Sequence, residues 1–132
     1  MERTDFHFMQ AAYTMACKAR DAEEVPVGAV IVNEGKIIAK AFNQIESLND
    51  PTAHAEMIAV TQAASFLGSK VLTNTEIFVT LEPCPMCSMA IVLAKVKRLV
   101  FATRDPRTGA AGSVYNIVQD PSLNHQVQVE HG

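Results

Sequence analysis

The stretch Pro83-Cys84-Pro85-Met86-Cys87 constrains this 132-residue chain more than any other. A run of strand-forming residues, Glu76–Leu81, precedes it, and an apolar run, Met86–Lys95, follows. A residue before proline is biased away from the α region, whereas a proline that opens a helix loses only an N–H that would lack a partner there. The stretch therefore ends a strand and opens a helix. Cys84 and Cys87, at i and i+3 of the first turn, then point their sulfurs the same way. The helix dipole and free N–H groups at such a start lower thiol pKa and favour the thiolate.

The remaining elements follow from periodicity. Phe6, Met9, Ala12, Tyr13, Ala16 and Cys17 recur at spacings of three and four, which predicts an amphipathic helix over 5–22, closed by Pro26. Val27–Val32 and Ile37–Phe42 read as strands joined by the turn Asn33-Glu34-Gly35-Lys36, and Asn43–Pro51 reads as a loop. From Thr52 the pattern is helical, with Met57, Val60, Thr61, Ala64 and Leu67 on one face and Gly68 as its stop. Arg98–Ala102 is a fourth strand, Arg104–Ser113 a Gly-rich loop, Val114–Val118 a short helix, and Gln126–Glu130 a last strand. This order predicts a three-layer α/β/α domain on a mixed sheet of about five strands, antiparallel at the first hairpin and parallel across the helices. The helix over Met86–Lys95 is apolar nearly all round, which fits either burial on several sides or a face against another subunit.

Length and charge narrow the function. A chain of this size is one domain, and its 48% hydrophobic residues suffice for a core without disulfide staples. Eleven Lys and Arg against fourteen Asp and Glu leave a net charge of −3, so no general field attracts phosphate backbones or anionic lipid. No run approaches the roughly eighteen apolar residues of a membrane span, and Met1-Glu2-Arg3-Thr4-Asp5 has no apolar segment behind it, so the expected compartment is the cytoplasm. In that compartment a C-x-x-C pair serves metal or redox chemistry more readily than a structural disulfide.

The second half of the chemistry lies at His54-Ala55-Glu56. His54, Cys84 and Cys87 form a three-ligand set for borderline-soft Zn²⁺, with the fourth tetrahedral position left for water, the pattern of a catalytic site and not of a closed structural one. Glu56 supplies the carboxylate that passes protons. Inside a regular helix residues i and i+2 point roughly 200° apart, so His54 is expected at the helix edge. A thioredoxin-like redox pair would not need the upstream His-x-Glu. A closed zinc knuckle would want a fourth ligand, for which Cys17, on the apolar face of the first helix, reads as core, His7 as a helix surface residue and His131 as tail.

At these residues the chain resembles the zinc-dependent cytidine/deoxycytidylate deaminase superfamily, whose H-x-E…P-C-x-x-C signature is that of the base-flipping zinc deaminases. Within it the chain is most similar to the bacterial tRNA-specific adenosine deaminases, through Glu24–Ala29, Asp50–Glu56, Val79–Cys84, Arg104-Asp105, Thr108–Ser113 and Asn124-His125. The resemblance implies one Zn²⁺ per chain on His54, Cys84 and Cys87, and hydrolytic attack at C6 of a flipped adenine. In that scheme Glu56 serves the ring and the leaving amine, and helix-start N–H groups steady the developing oxygen charge. It further implies that Asn43, Asp105 and Asn124 contact substrate, that a tRNA anticodon loop is the partner, and that the chain forms a homodimer. Residues 1–132 would then be a single deaminase domain lacking the C-terminal helix usual in that family. Lys95, Lys97, Arg98, Arg104 and Arg107 are the cations nearest for phosphate. The alternatives are a deaminase of a free nucleobase or nucleoside, of guanine, cytosine or cytidine type, and a catalytically silent zinc-binding subunit that holds RNA or a partner. Against the latter stands an intact Glu56.

Overall fold

The computed structural model describes residues 1–132, in the order α1 (Arg3–Asp21), β1 (Gly28–Asn33), β2 (Lys36–Phe42), α2 (Ile45–Leu48), α3 (Ala55–Leu67), β3 (Thr75–Leu81), α4 (Pro85–Leu93), β4 (Arg98–Thr103) and β5 (Gln128–His131). The strands form one mixed sheet ordered β2-β1-β3-β4-β5. β1 runs antiparallel to both β2 and β3, while β3, β4 and β5 run parallel. Parallel pairing across a helix thus holds for β3 and β4. β2 and β3, joined through α3, share a direction but have β1 between them. The hairpin turn places Glu34 and Gly35 at φ 52° and 77°, the positive pair that lets a two-residue connection follow the right-handed twist of the strands.

Strand alternation builds two cores. Ala29, Ile31, Ile77, Val79, Leu99 and Phe101 pack on the face covered by α3 and α4, and Val30, Val32, Phe78 and Val100 on the face covered by α1. The result is the expected three-layer α/β/α domain. α4 buries Cys87, Ser88, Ile91 and Val92 and leaves Leu93 68% exposed, so its all-round apolarity reflects both a core face and an uncovered one.

Four local expectations are corrected. α1 is rotated relative to the expected face: Asp5, Phe8, Met15 and Ala19 join Met9, Ala12 and Ala16 inside, while Phe6 and Tyr13 lie outside and Cys17 is half-buried. This face packs Phe8, Met9 and Met15 against the sheet, with Asp5 held by Arg98 at its end. α3 packs through the small stripe Ala55, Ala59 and Ala63, which lets the helix approach the sheet closely, and its larger apolar residues sit at the margins. Asn43–Pro51 contains the single-turn α2. Val114–Val118 forms turns and one bridge, Ala111 to Asn116, and no helix.

Arg98 ties three elements together. Its guanidinium reaches Asp5 of α1 at 2.9 Å, Glu76 of β3 at 2.7 Å and Glu130 of β5 at 2.8 Å. The Arg98 hydrogen bond holds the Asp5 carboxyl below its usual value of 3.8, so this stabilisation is present above that pH and lost as the pH falls through the lowered value. Asp5→Asn should cost about 1.5–3 kcal/mol at pH 7, the range for hydrogen bonds to charged groups. In urea titrations the gap to wild type should narrow toward pH 3; a gap constant with pH would assign the loss to packing.

Candidate active site

The end of β3, the middle strand, and the starts of α3 and α4 meet at one end of the sheet. His54 occupies the N-cap of α3 in extended conformation, φ −72° and ψ 152°, at the helix edge as its spacing to Glu56 demands. The side-chain oxygen of Asn43 accepts the first free helical N–H, that of Ala55, at 2.7 Å, which locks this helix start against the end of β2. Cys84 is the N-cap of α4 and Pro85 its first residue. His54 Nδ1 lies 3.7 Å from Cys84 Sγ and 3.5 Å from Cys87 Sγ, and the three donor atoms all fall within 4.8 Å of one another.

The electrostatics suit a soft cation. A hydrogen bond from the Cys87 thiol is the largest cause lowering the Cys84 thiol to about 5, helped by the backbone N–H groups of Cys87 and Met86 and the nearby His54. Those helix-start N–H groups favour the Cys84 thiolate. The Cys87 thiol is pushed up because its proton lies in that same bond and the group is buried. Two sulfurs and an imidazole nitrogen within 4.8 Å of one another can take one metal ion between them. Glu56, 4% exposed, faces the same space, and its Oε1 is the one buried side-chain polar atom in the molecule without a partner. Burial pushes its carboxyl up to about 7, with the negative Cys84 sulfur acting in the same direction. An orphaned oxygen beside a His-Cys-Cys set fits Zn²⁺ whose fourth position opens toward a reacting molecule.

The space in front of these groups is a cavity of about 260 Å³. That is just under the roughly 300–1,000 Å³ of drug-sized sites, and suits one nucleoside. Val25, Val27, Ile45 and Leu81 form its apolar walls, and Asn43, Glu82, Asp105 and Thr108 join the site residues as its polar ones. No protein acceptor takes the Asn43 amide N–H₂, which leaves a donor for a ligand. Asp105 accepts from the N–H groups of Arg107 and Thr108 and from the Thr108 hydroxyl, so its carboxylate shapes its own loop. A larger apolar groove of about 570 Å³ shares Val25, Val27 and Leu81 with the cavity but holds no cluster of metal donors, so the chemistry belongs to the smaller space.

Asn124 is not brought to the cavity. It is exposed beside His125, whose Nε2 bonds the Val96 carbonyl at 2.7 Å, at the N-terminal ends of β4 and β5. Lys95 and Lys97 line that same far edge, and Arg98 is occupied by three carboxylates. Of the five expected cations, Arg104 and Arg107 lie on the loop of the cavity residue Asp105, both exposed, with the Arg104 guanidinium 2.8 Å from the His131 ring.

Two carboxylates escaped the sequence reading. Glu24 accepts from the N–H groups of Glu46 and Ser47, at 3.0 and 2.7 Å, and so holds α2, whose Ile45 walls the cavity. Glu82, 2% exposed, accepts from the N–H groups of Asp105, Ala111 and Ser113 and from the Ser113 hydroxyl. The available signal was a charge directly after an apolar strand and before Pro83, since a buried carboxylate must find donors.

Known proteins carry the same arrangement. Residues 2–103 match the family model for the cytidine and deoxycytidylate deaminase zinc-binding region. A tRNA-specific adenosine deaminase of Aquifex aeolicus is 48% identical over 125 residues, 95% of this chain and 83% of that one. Its Bacillus subtilis counterpart is 43% identical over 95% of this chain and 78% of its own. A solved chain from work on A-to-I editing by tRNA:A34 deaminases superposes with a TM-score of 0.93 at 40% identity, over 96% of this chain and 92% of that one. A guanine deaminase of Bacillus subtilis gives 0.75 at 33% identity, over 97% and 83%. With the metal donors and the buried carboxylate meeting inside the matched region, the chain belongs to the zinc-dependent cytidine and deoxycytidylate deaminase family.

Proposed function

We propose that this chain hydrolyses adenosine to inosine at the wobble position of a tRNA anticodon loop, with Glu56 as the catalytic residue and His54, Cys84 and Cys87 as the zinc ligands. The observation that carries the chemistry is the unpartnered Glu56 Oε1, buried beside the His-Cys-Cys cluster. The substrate class rests on the likeness to the Aquifex aeolicus and Bacillus subtilis tRNA deaminases and to the solved tRNA:A34 deaminase. Bound zinc supplies a Lewis acid that brings the pKa of water down to about 7. Glu56 Oε1 would take a proton from the attacking water and pass it to the adenine ring nitrogen, then take the proton of the new C6 hydroxyl and pass it to the departing amine, so that adenosine and water give inosine and ammonia. Val27 and Leu81 hold the base by its faces and exclude water, and the Asn43 amide donates to the nucleoside. Asp105 orients a neighbouring nucleotide through the loop it shapes. Asn124, remote from the cavity, would touch the RNA beyond the flipped base.

The exposed Leu93 and the 69%-exposed Phe66 at the ends of α4 and α3 support a homodimer through that helical layer. No helix is long and apolar enough to cross a membrane, and the cytoplasm, where tRNA is modified, is the compartment we assign.

Ammonia release from an anticodon stem-loop with adenosine at the wobble position, run in parallel with free adenosine and guanine, tests the reading. The stem-loop should react and the free compounds should not. The reverse result would favour a nucleobase deaminase, the second reading, which the guanine deaminase likeness and the scarcity of cations support. With Arg104 and Arg107 as the phosphate contacts, log affinity against log salt should slope only about −1.4, at −0.7 per phosphate neutralised. A slope of −4 or steeper would mean that further cations engage the RNA.

A further inference from the structure

We propose that Glu82 is a positioning residue that sets the register of the Arg104–Ser113 loop against the zinc pocket, and so governs how tightly substrate is held. The proposal deepens the deaminase reading and rests on it for its kinetic part. Glu82 stands between β3 and the metal-binding turn, and its two oxygens take four donors from the loop: the N–H groups of Asp105 at 3.0 Å, Ala111 at 2.9 Å and Ser113 at 3.1 Å, and the Ser113 hydroxyl. Backbone bonds fasten the same junction, from Glu82 N–H to Thr103 and from Ala110 N–H to Pro83. The loop comes so close that a Cβ on Gly109 would collide with the Glu82 carboxyl carbon, which explains a glycine where φ requires none. Asp105 and Thr108 hang from this clamp on the wall of the cavity that Glu82 also lines, whereas none of the clamp's hydrogen bonds is made by the side chains of His54, Cys84, Cys87 or Glu56. Loss of the clamp therefore moves the recognition wall and leaves the metal donors in place.

Glu82→Gln keeps the shape but turns an N–H₂ toward N–H donors, and Gly109→Ala displaces the carboxylate from the other side. Each variant should keep one zinc per chain while kcat/KM on the anticodon stem-loop falls on the order of 10²-fold, the scale of a 1 Å misplacement, mainly through KM. The double variant should be little worse than either single one, because both remove the same clamp. Amide hydrogen exchange on the zinc-loaded protein should show Asp105, Ala111 and Ser113 losing protection while α3 and α4 keep theirs. Zinc loss in both variants, an unchanged KM, or retained loop protection overturns the proposal. Were the wild-type protein to deaminate neither RNA nor free nucleoside, the deaminase reading would fail on that result alone, and the hydrogen-exchange arm would still decide the clamp.

Discussion

Glu56→Ala should retain one zinc per chain and an unchanged unfolding midpoint while turnover falls by 10⁴ or more. A single positioned acid–base group typically contributes 10²–10⁴-fold, and Glu56 serves two successive transfers, so its loss belongs at or above the top of that range. Retention of metal is expected because the carboxylate stands outside the cluster formed by His54, Cys84 and Cys87. Stability is expected to hold, because Glu56 Oε1 bonds no other protein group. Single-turnover ammonia release together with elemental analysis separates the two effects. Activity within tenfold of wild type would remove Glu56 from the proton path.

The second large effect concerns the cluster itself. Cys87→Ala should lose the metal and soften the fold, since free energy of binding at a site the unfolded chain lacks is also free energy of folding. A ligand present at about a thousand times its dissociation constant stabilises by about 4 kcal/mol, which for a domain of this size corresponds to a Tm lower by about 12–20 °C. Wild-type protein stripped by a chelator should melt near the Cys87→Ala variant, and readdition of zinc should rescue the first alone. Full zinc occupancy in the variant would show the ligand set to be wrong.

The architecture and the cluster were legible because their signals are short and chemically distinct. Alternating β-branched runs, a hairpin turn, and prolines around Cys84 each admit few conformations. The placement of His54 at the helix edge followed from geometry alone, and φ and ψ at that residue agree. What misled was the weight given to large apolar side chains. Phe6 and Tyr13 share α1 with Phe8 and Met15, and periodicity cannot choose between two adjacent apolar faces when the partners, Val30, Val32, Phe78 and Val100 and the Arg98 that pairs with Asp5, come from distant strands. In α3 the stripe that meets the sheet consists of alanines, which carry the least hydrophobic weight and permit the closest approach. Lys95 and Lys97 are near Cys87 along the chain but one helix length away in space, and Arg98 is consumed by pairing. Glu82 and Glu24 stayed hidden because their value lies in backbone N–H groups contributed by distant loops.

The position of β1 between β2 and β3 has a kinetic consequence. The β1–β2 hairpin closes locally, but β3 must cross α3 and pair with β1 instead of with the nearer end of the chain, a contact of long sequence separation that forms slowly. Only that pairing brings the start of α4 to the start of α3, so His54 and the two cysteines meet after the rate-limiting alignment of the sheet. Zinc then engages a state formed beyond the folding barrier, and its removal should speed unfolding while leaving the folding rate nearly unchanged.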